Sequence, residues 1–418
     1  MRCSVQDIFR EHFDSYAQVR NLHPRELRAA WCIRHCYGPE LGGHVLACPE
    51  GHFVTVQYHA CRHRTCPRCA QGPRQQWLAA QLPKLLPCAH FHVIFTLPHE
   101  FLALWQFNRV PMAQLLFDCA RDSLLELCAD PKFLGAMPGL LMALHTWGRT
   151  LSHHPHVHCL VSAGGLAPDN QWQATGENFF LPLKPLQALF RGKFLCALKH
   201  ALRARSLQLP DLLPTDHWLT VITNQWRSHW NIEISKPYAH GNGVALYLAR
   251  YVKGGPLAND HRLNLTDNII SFDYRDHRDG KLKTSHLTIN EFISRLLWHA
   301  PPKGLRTVRS AGLYATAHRR QHQRCQQLLK PFVPPSPERP LASHTLTANR
   351  PPVLCPQCSK PLTLLSSTPS SHHSGDISLA NSPPTPPPGP TGRCNGQTPA
   401  FHHLAARPPP VRRGSPLN

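Results

Sequence analysis

Two histidines separated by one apolar residue, His156-Val157-His158, form the pattern in this sequence with the clearest capacity for chemistry. On a β-strand, alternate side chains point to the same face, so both imidazoles would share one face, while Val157 and Cys159 would share the other. Two imidazoles on one face can hold a divalent ion, which then acts as a Lewis acid on a phosphate. A structural histidine pair would show the same spacing, so the pattern gains weight only beside a nucleophile.

A pair of tyrosines could supply that nucleophile. Tyr247 and Tyr251 lie four residues apart in a short predicted helix that ends in a glycine pair, so their hydroxyls project from one helical face. A phenolate beside a metal-bound phosphodiester can attack phosphorus and keep the 5′ phosphate, which releases a 3′ hydroxyl. Two tyrosines would allow linked cleavage and rejoining without ATP, because the phosphotyrosine stores the bond energy. An aromatic stripe packed on the core is the alternative; Arg250 and Lys253 are candidate DNA contacts or solvated charges.

Cysteines and histidines are concentrated between residues 32 and 69, a stretch with six of the 16 cysteines. In a reducing cytosol, clustered cysteines favour metal binding over disulfides. Zinc takes four soft or borderline ligands in a tetrahedron, and a Cys-x2-Cys turn supplies two of them. Cys66 and Cys69 form the strong pair, and Cys48 with His52 is its expected partner pair; buried thiols without a metal are the alternative. Further candidate ligands, for a second site or as replacements, are Cys36, His44 and Cys61.

Basic residues are interleaved with this cluster and abundant in the whole chain. Arg62, Arg64 and Arg68 predict a finger that faces DNA, with a solvated basic face as the alternative. The formal net charge of the 418-residue chain is +21, which favours a polyanionic partner because like charges repel one another in a compact fold. No apolar run approaches the roughly 18–20 residues of a membrane span. The N-terminal residues contain acids and no signal-peptide core, so we expect no export and no membrane partner.

The elements that must position these residues follow from periodicity and composition. The predicted domains are a helical arm over residues 1–30, a zinc-binding domain over 31–75, a catalytic α+β domain over 76–330 and a Pro-rich basic tail over 331–418. The arm rests on helical spacing of Val5, Ile8, Phe9 and Phe13. The predicted strands are 92–97, 156–161 and 230–235, and the predicted amphipathic helices are 109–130 and 186–205.

The tail differs in kind from the rest of the chain. Residues 331–418 contain half of the 42 prolines and almost no aromatic side chains, so they bury too little apolar surface to offset the entropy of ordering. We expect this tail to be mostly disordered. An ordered island is expected at Cys355-Pro-Gln-Cys358, where a lone structural turn and a zinc site are equally compatible with the spacing.

Together these motifs resemble the IS91 family of rolling-circle insertion-sequence transposases, within the two-tyrosine His-hydrophobe-His (HUH) nuclease superfamily. The matching pieces, spread over residues 20–325, are 61–69, 92–98, 144–148, 154–160, Tyr247-x3-Tyr251, 274–280 and 292–304. One departure is Cys48-Pro-Glu-Gly-His52, which stands where the family usually has Cys-x2-Cys-Gly and makes His52 the natural replacement ligand. The resemblance implies an antiparallel-sheet nuclease domain with flanking helices, preceded by a small zinc-binding domain.

The resemblance also implies an activity and its ligands. It implies a bacterial transposase, cytoplasmic and associated with the nucleoid, that cleaves single-stranded element ends and transfers them to target DNA. His156 and His158 would hold Mg²⁺ or Mn²⁺, Tyr247 and Tyr251 would be the nucleophiles, and the N-terminal domain would hold structural Zn²⁺. Host replication factors are further candidate partners. The third ligand of the catalytic ion is left unassigned; His92 and His145 are candidates, and packed or solvated histidines are the simpler interpretation of both.

Three alternatives fit parts of the sequence. A non-catalytic zinc-containing nucleic-acid-binding protein accounts for the charge and the cysteines, and leaves both the histidine pair and the tyrosine pair unexplained. A plasmid replication initiator or relaxase would use the same chemistry, but a finger ahead of the histidine strand favours the transposase. A decayed copy that folds without transposing is the third, because of the altered finger and the long tail.

Overall fold

The structure is a computed structural model that describes residues 2–69, 71–176, 180–210, 213–238, 255–257, 263–276, 279–329 and 353–369. The helices are α1 (Val5–Gln18), α2 (Pro24–His35), α3 (Gln71–Gln81), α4 (Leu102–Phe107), α5 (Arg109–Ala129), α6 (Leu183–Arg203), α7 (Thr215–Gln225), α8 (Ile289–Leu297) and α9 (Arg319–Leu328). The strands are β1 (Arg2–Cys3), β2 (Gly43–Ala47), β3 (Val54–Tyr58), β4 (His90–Thr96), β5 (Met137–Trp147), β6 (His153–Leu166), β7 (Trp172–Ala174), β8 (Ile232–Ile234), β9 (Leu263–Thr266), β10 (Ile269–Arg275), β11 (Leu282–Thr288), β12 (Val308–Gly312) and β13 (Thr363–Thr368). Within these ranges no helix is long and apolar enough to cross a bilayer.

The largest sheet has the strand order β12-β5-β6-β4-β8, with β7 paired to an end of β6. Every pairing in it is antiparallel. Strand β6 carries His156 and His158 and lies in the middle of this order, between β5 and β4. The sequence therefore predicts this strand correctly, and the structure extends it at both ends. The fold is a mixture of helices and antiparallel sheets, as the sequence indicates.

The two faces of this sheet differ in chemistry. Val157 and Cys159 lie in an apolar core with side chains of β4 and β5 and of the covering helices α5 and α6, such as Phe117 and Phe194. Both helices were expected from their amphipathic periodicity, and their apolar faces account for the burial. Histidines of β4, β5 and β6 line the opposite face. The predicted division between the histidine face and the Val157 face is confirmed.

A second core joins the N-terminus to residues far along the chain. Phe9 of α1 packs in one cluster with Phe272 of β10 and Phe292 of α8, and β1 pairs with β9 at the edge of the sheet β1-β9-β10-β11. The helical spacing predicted for the N-terminal residues is confirmed by the burial of their apolar side chains. The sequence suggests a separate helical arm; the structure instead makes α1 part of this core.

The third sheet joins the N-terminal hairpin, β2 and β3, to the last described segment of the chain. Its order is β13-β2-β3, so a strand of the Pro-rich tail pairs with the N-terminal hairpin. Gly42 makes the approach feasible: its φ is +68°, and a Cβ there would lie 2.4 Å from the carbonyl oxygen of Thr368. The expectation of a mostly disordered tail does not hold for residues 353–369, and the expected island at Cys355 and Cys358 lies within them.

Candidate functional site

Three buried imidazoles meet on the histidine face of the central sheet. His156 and His158 extend from β6, and His145 extends from β5, where it lies directly opposite His156 in the antiparallel register. One ligating nitrogen from each of the three lies within 4.8 Å of the others. Metal–nitrogen bonds of roughly 2.0–2.2 Å place two ligands of one ion no more than about 4.4 Å apart, so only a small adjustment would let all three contact a single ion.

The surroundings prepare these rings to act as ligands. Burial lowers the pKa of His156 to about 3 and holds the pKa values of His145 and His158 well below their usual range, so all three are neutral near pH 7. The Nδ1 of His156 lies 2.6 Å from the carbonyl oxygen of His154, which accepts a hydrogen bond from the protonated Nδ1 and leaves Nε2 available to bind a metal. Three neutral donors on rigid strands suit a divalent ion with open positions for a substrate.

A fourth histidine supports the site from the neighbouring strand. The Nε2 of His92, on β4, lies 2.8 Å from the Nδ1 of His158, and the two rings are stacked. For His158 to ligate through Nε2, its Nδ1 must carry the proton and donate it to His92. His92 is therefore placed to fix the tautomer and the ring plane of a candidate ligand, whereas the sequence left its role open between a ligand and a packed or solvated residue.

A second cluster, which we call the knuckle cluster, consists of Cys36, Cys61, Cys66 and Cys69. Its four sulfurs lie within 4.8 Å of one another, and the sulfurs of Cys61 and Cys69 are 3.5 Å apart. Four thiolates around one zinc ion would be separated by about 3.8 Å, given Zn–S bonds of about 2.3 Å. The arrangement therefore fits a closed structural zinc site. Cys36 and Cys61, named from the sequence as spare ligands, stand here beside the predicted pair.

The predicted partnership of Cys48 and His52 with Cys66 and Cys69 is not what the structure forms. Cys48 and His52 instead group with two tail cysteines, Cys355 and Cys358. The reason is positional, because the turn after β2 faces the tail hairpin rather than the Cys66 turn. His44 joins neither cluster: its ring contacts Ser367 at 2.9 Å and His59 at 3.2 Å.

The three arginines of the knuckle are used differently from one another. Arg62 is exposed. Arg64 is half-buried and donates to the hydroxyl of Thr307, next to β12, and it lines a cavity with residues adjoining His145 on β5. Arg68 keeps an exposed surface, but its guanidinium donates to the carbonyl oxygen of Cys36 at 3.1 Å. The expected DNA-facing character thus applies most directly to Arg62, while Arg64 connects the knuckle to the histidine sheet.

The tyrosines expected to act as nucleophiles, Tyr247 and Tyr251, lie outside the described residues, as do Arg250 and Lys253. Among the described tyrosines, Tyr314 has a hydroxyl that lies 2.6 Å from the Nε2 of His90 on β4. Its hydroxyl also accepts a bond from the Leu86 amide, and burial raises its pKa well above its usual value. A phenolate is therefore strongly disfavoured at Tyr314, and its role is structural.

Two features of these sites were not assigned from the sequence. His145 was one of two unassigned candidates; only the β5–β6 register, which sets it opposite His156, distinguishes it. For Cys355 and Cys358 the sequence leaves a lone structural turn and a zinc site equally open, because nothing local indicates a partner more than 300 residues away. The available signal is that Cys48 with His52 and Cys355 with Cys358 are each a closely spaced pair of possible zinc ligands, so each pair could complete the site of the other.

Comparisons with known proteins match two regions of this chain. A family model described as "Transposase zinc-binding domain" matches residues 8–97, and one described as "Putative transposase" matches residues 139–322. The chain is 35% identical over 338 residues to "Putative transposase y4qJ" of Sinorhizobium fredii, covering 79% of this chain and 85% of that protein. It is 29% identical over 277 residues to the transposase for insertion sequence element IS801 of Pseudomonas savastanoi pv. phaseolicola, covering 64% of each chain. No solved structure matches. With a zinc-binding region ahead of a transposase region and this degree of identity, the chain belongs to the IS91 family of transposases.

Proposed function

We propose that this transposase cleaves single-stranded DNA at the ends of its element and transfers the cut strand through a covalent 5′-phosphotyrosine. The observation that carries the proposal is the set of three neutral imidazoles of His145, His156 and His158. A divalent ion held there, Mg²⁺ or Mn²⁺, would polarise the scissile phosphate and offset its charge. This face offers imidazoles rather than the carboxylates of a two-metal site, which agrees with cleavage by a side-chain nucleophile.

The chemistry assigned to the chain's own residues is a pair of phosphoryl transfers. In the first, the phenol oxygen of Tyr247 or Tyr251 attacks phosphorus and loses its proton to solvent, while the 3′ oxygen leaves as a hydroxyl. In the second, a 3′ hydroxyl attacks the phosphotyrosine, which restores the phenol and a phosphodiester. The number of phosphodiester-type bonds is conserved, so no nucleotide triphosphate is consumed.

Described residues on both sides of the tyrosine segment support this assignment. Before it, Tyr238 exchanges two backbone hydrogen bonds with His90 on β4, at 2.9 and 3.0 Å. After it, Gly255 lies so close to the Thr65 backbone that a Cβ would come within 2.9 Å of the Thr65 oxygen. The two described residues that flank the tyrosines in the chain, Tyr238 and Gly255, therefore lie against the histidine sheet and against the knuckle.

The zinc knuckle would present DNA to this site. Arg64 extends from the knuckle loop to Thr307 and lies beside the strand of His145, so a structural ion at the knuckle would also fix a positive charge near the histidine face. A phosphate backbone that crosses from Arg62 towards His145 would meet positive charge along the way. DNA binding and cleavage are thus expected to depend on one another.

The test is capture of the covalent product on a denaturing gel. The protein is incubated with Mn²⁺ and single-stranded DNA from the element's ends, labelled at either the 3′ or the 5′ terminus. A 5′-phosphotyrosine moves the 3′ label onto the protein and releases the 5′-labelled fragment free. Variants His145→Ala and Tyr247→Phe/Tyr251→Phe should lose the band, whereas His217→Ala, at an exposed histidine on α7, should keep it.

The contrary results are equally clear. A labelled protein band that survives in the double tyrosine variant would rule out these nucleophiles. A 5′ label on the protein would indicate a 3′-phosphotyrosine and a different mechanism. DNA retarded on a native gel, with no covalent band in either labelling scheme, would indicate a binding protein or an inactive copy.

A further inference from the structure

The group formed by Cys48, His52, Cys355 and Cys358, which we call the bridging cluster, lies apart from the knuckle cluster and from the histidine face. One ligand atom from each residue lies within 4.8 Å of the others. The sulfur of Cys48 is 3.4 Å from that of Cys358 and 3.9 Å from the Nδ1 of His52. We propose that the bridging cluster holds a second structural zinc ion, which attaches residues 353–369 to the N-terminal hairpin. The proposal concerns metal content and stands independently of the DNA chemistry above.

The two halves of the bridging cluster are built alike. In each, a cysteine followed by proline opens a tight turn at the end of a hairpin. In the N-terminal half, the Gly51 amide donates to the Cys48 carbonyl at 2.9 Å, and Gly51 takes the left-handed conformation with φ +74°. In the tail half, the Ser359 amide donates to the Cys355 carbonyl at 2.9 Å, and Ser359 is left-handed with φ +56°. Two facing turns of this kind are how zinc ribbons supply four ligands.

The donor set matches zinc in kind as well as in number. Three sulfurs and one imidazole form a Cys₃His set, which zinc accepts in closed tetrahedral sites. The Glu50 amide lies 3.4 Å from the sulfur of Cys48 and donates to it, an outer contact of the kind that orients metal ligands. His52 is exposed and has no packing role that would explain its position beside three cysteines. A disulfide between Cys48 and Cys358 would not explain why His52 and Cys355 lie in the same cluster.

Apolar burial does not account for the docking of the tail segment. Every residue of β13 is exposed, and the exposed fractions of Leu364 and Leu365 are 59% and 64%. The ion pair of Lys360 with Glu50, at 2.5 Å, is exposed on both sides and is worth little in water. Ordering the 17 residues 353–369 of the Pro-rich tail has a large entropic cost. The free energy of metal binding can offset this cost.

The first measurement is zinc content by inductively coupled plasma mass spectrometry on the full chain, purified under reducing conditions. The double variant Cys355→Ser/Cys358→Ser should contain one zinc ion fewer per chain than the unaltered protein. The control Cys196→Ser removes an exposed thiol outside both clusters and should leave the content unchanged. Equal zinc in the double variant and the unaltered chain would overturn the proposal.

Two further measurements distinguish the loss of a zinc ligand from misfolding of the variant. His52→Cys should keep the zinc content and, after replacement by Co²⁺, change the d–d absorption from that of a Cys₃His site towards that of a Cys₄ site. Hydrogen exchange should show that Cys355→Ser/Cys358→Ser loses protection in 363–368 while β4 to β6 keep theirs. An unchanged Co²⁺ spectrum in His52→Cys would exclude His52 as a ligand, and an intact mass two hydrogens lighter, with no zinc bound, would show a disulfide in place of the metal.

Discussion

The supporting role of His92 gives the sharpest prediction about the histidine face. Replacing His92 by Phe keeps a flat ring of similar size on β4 and removes the acceptor that lies 2.8 Å from the Nδ1 of His158. His158 would then lose the partner that holds its proton on Nδ1 and its ring in the ligating orientation. Loss of such a supporting bond typically lowers metal affinity by about 10–100-fold, or about 1.4–2.8 kcal/mol.

The assay is the rate of single-strand cleavage as a function of Mn²⁺ concentration. We expect the half-maximal concentration for His92→Phe to rise by about 10–100-fold while the rate at saturating metal returns close to that of the unaltered protein. His92→Gln retains an acceptor oxygen near the same place and should show a smaller rise. Thermal unfolding of each variant without metal checks that the fold is intact.

A matched control separates this effect from general damage to the sheet. His90 is on the same strand and face as His92 and is equally buried, but its ring contacts Tyr314 rather than a ligand. His90→Phe should therefore leave the Mn²⁺ dependence unchanged. An unchanged half-maximal concentration in His92→Phe, or an equal rise in His90→Phe, would refute the assignment of His92 to the metal site.

Three further outcomes follow from the structure. Because burial lowers the pKa of His156 from 6.5 to about 3, the unfolded chain takes up the proton first, and the metal-free protein should lose stability as pH falls from about 6.5 towards 3. Each such histidine contributes up to about 1.4 kcal/mol per pH unit, which urea unfolding at neutral pH and near pH 5 can measure. Gly42 and Gly280 share a φ of +68°, but only at Gly42 would a Cβ meet the tail segment, 2.4 Å from the Thr368 oxygen. Gly280→Ala should therefore cost about 1 kcal/mol of backbone strain. Gly42→Ala should cost more because the clash is added, and only Gly42→Ala should abolish hydrogen-exchange protection of β13. Arg62→Ala should reduce the salt dependence of DNA binding by a slope of about one without lowering the melting temperature, whereas Arg68→Ala, which removes the bond to the Cys36 carbonyl, should lower it.

The sequence predicted the helices and strands that show a clear periodicity of apolar residues. The strand of His156 and His158 and the two long amphipathic helices were recognisable because a period of two or of 3.6 residues is written in consecutive positions. The division of the sheet into a histidine face and an apolar face followed from the same alternation. These features lie where the sequence predicts them, with boundaries shifted by a few residues.

What the sequence did not reveal depends on register and on distant pairing. His145 is distinguished from the other candidate, His92, only through the alignment of β5 with β6, which local periodicity does not specify. The pairing of Cys48 with Cys358 spans 310 positions, and proximity along the chain favoured the nearer Cys66 instead. Arg64 looked like a surface charge because sequence does not show that its loop folds towards Thr307.

The pairing of β1 with β9 also determines when the N-terminal core can form during synthesis. Arg2 is among the first residues made, yet its strand partner Asn264 appears about 260 residues later, roughly 15–50 seconds at ordinary rates of synthesis. During that interval α1 exposes the apolar side chains that later pack against α8, so the nascent chain presents a hydrophobic helix before its core exists. Premature termination before residue 264 therefore yields a product that cannot complete its N-terminal core.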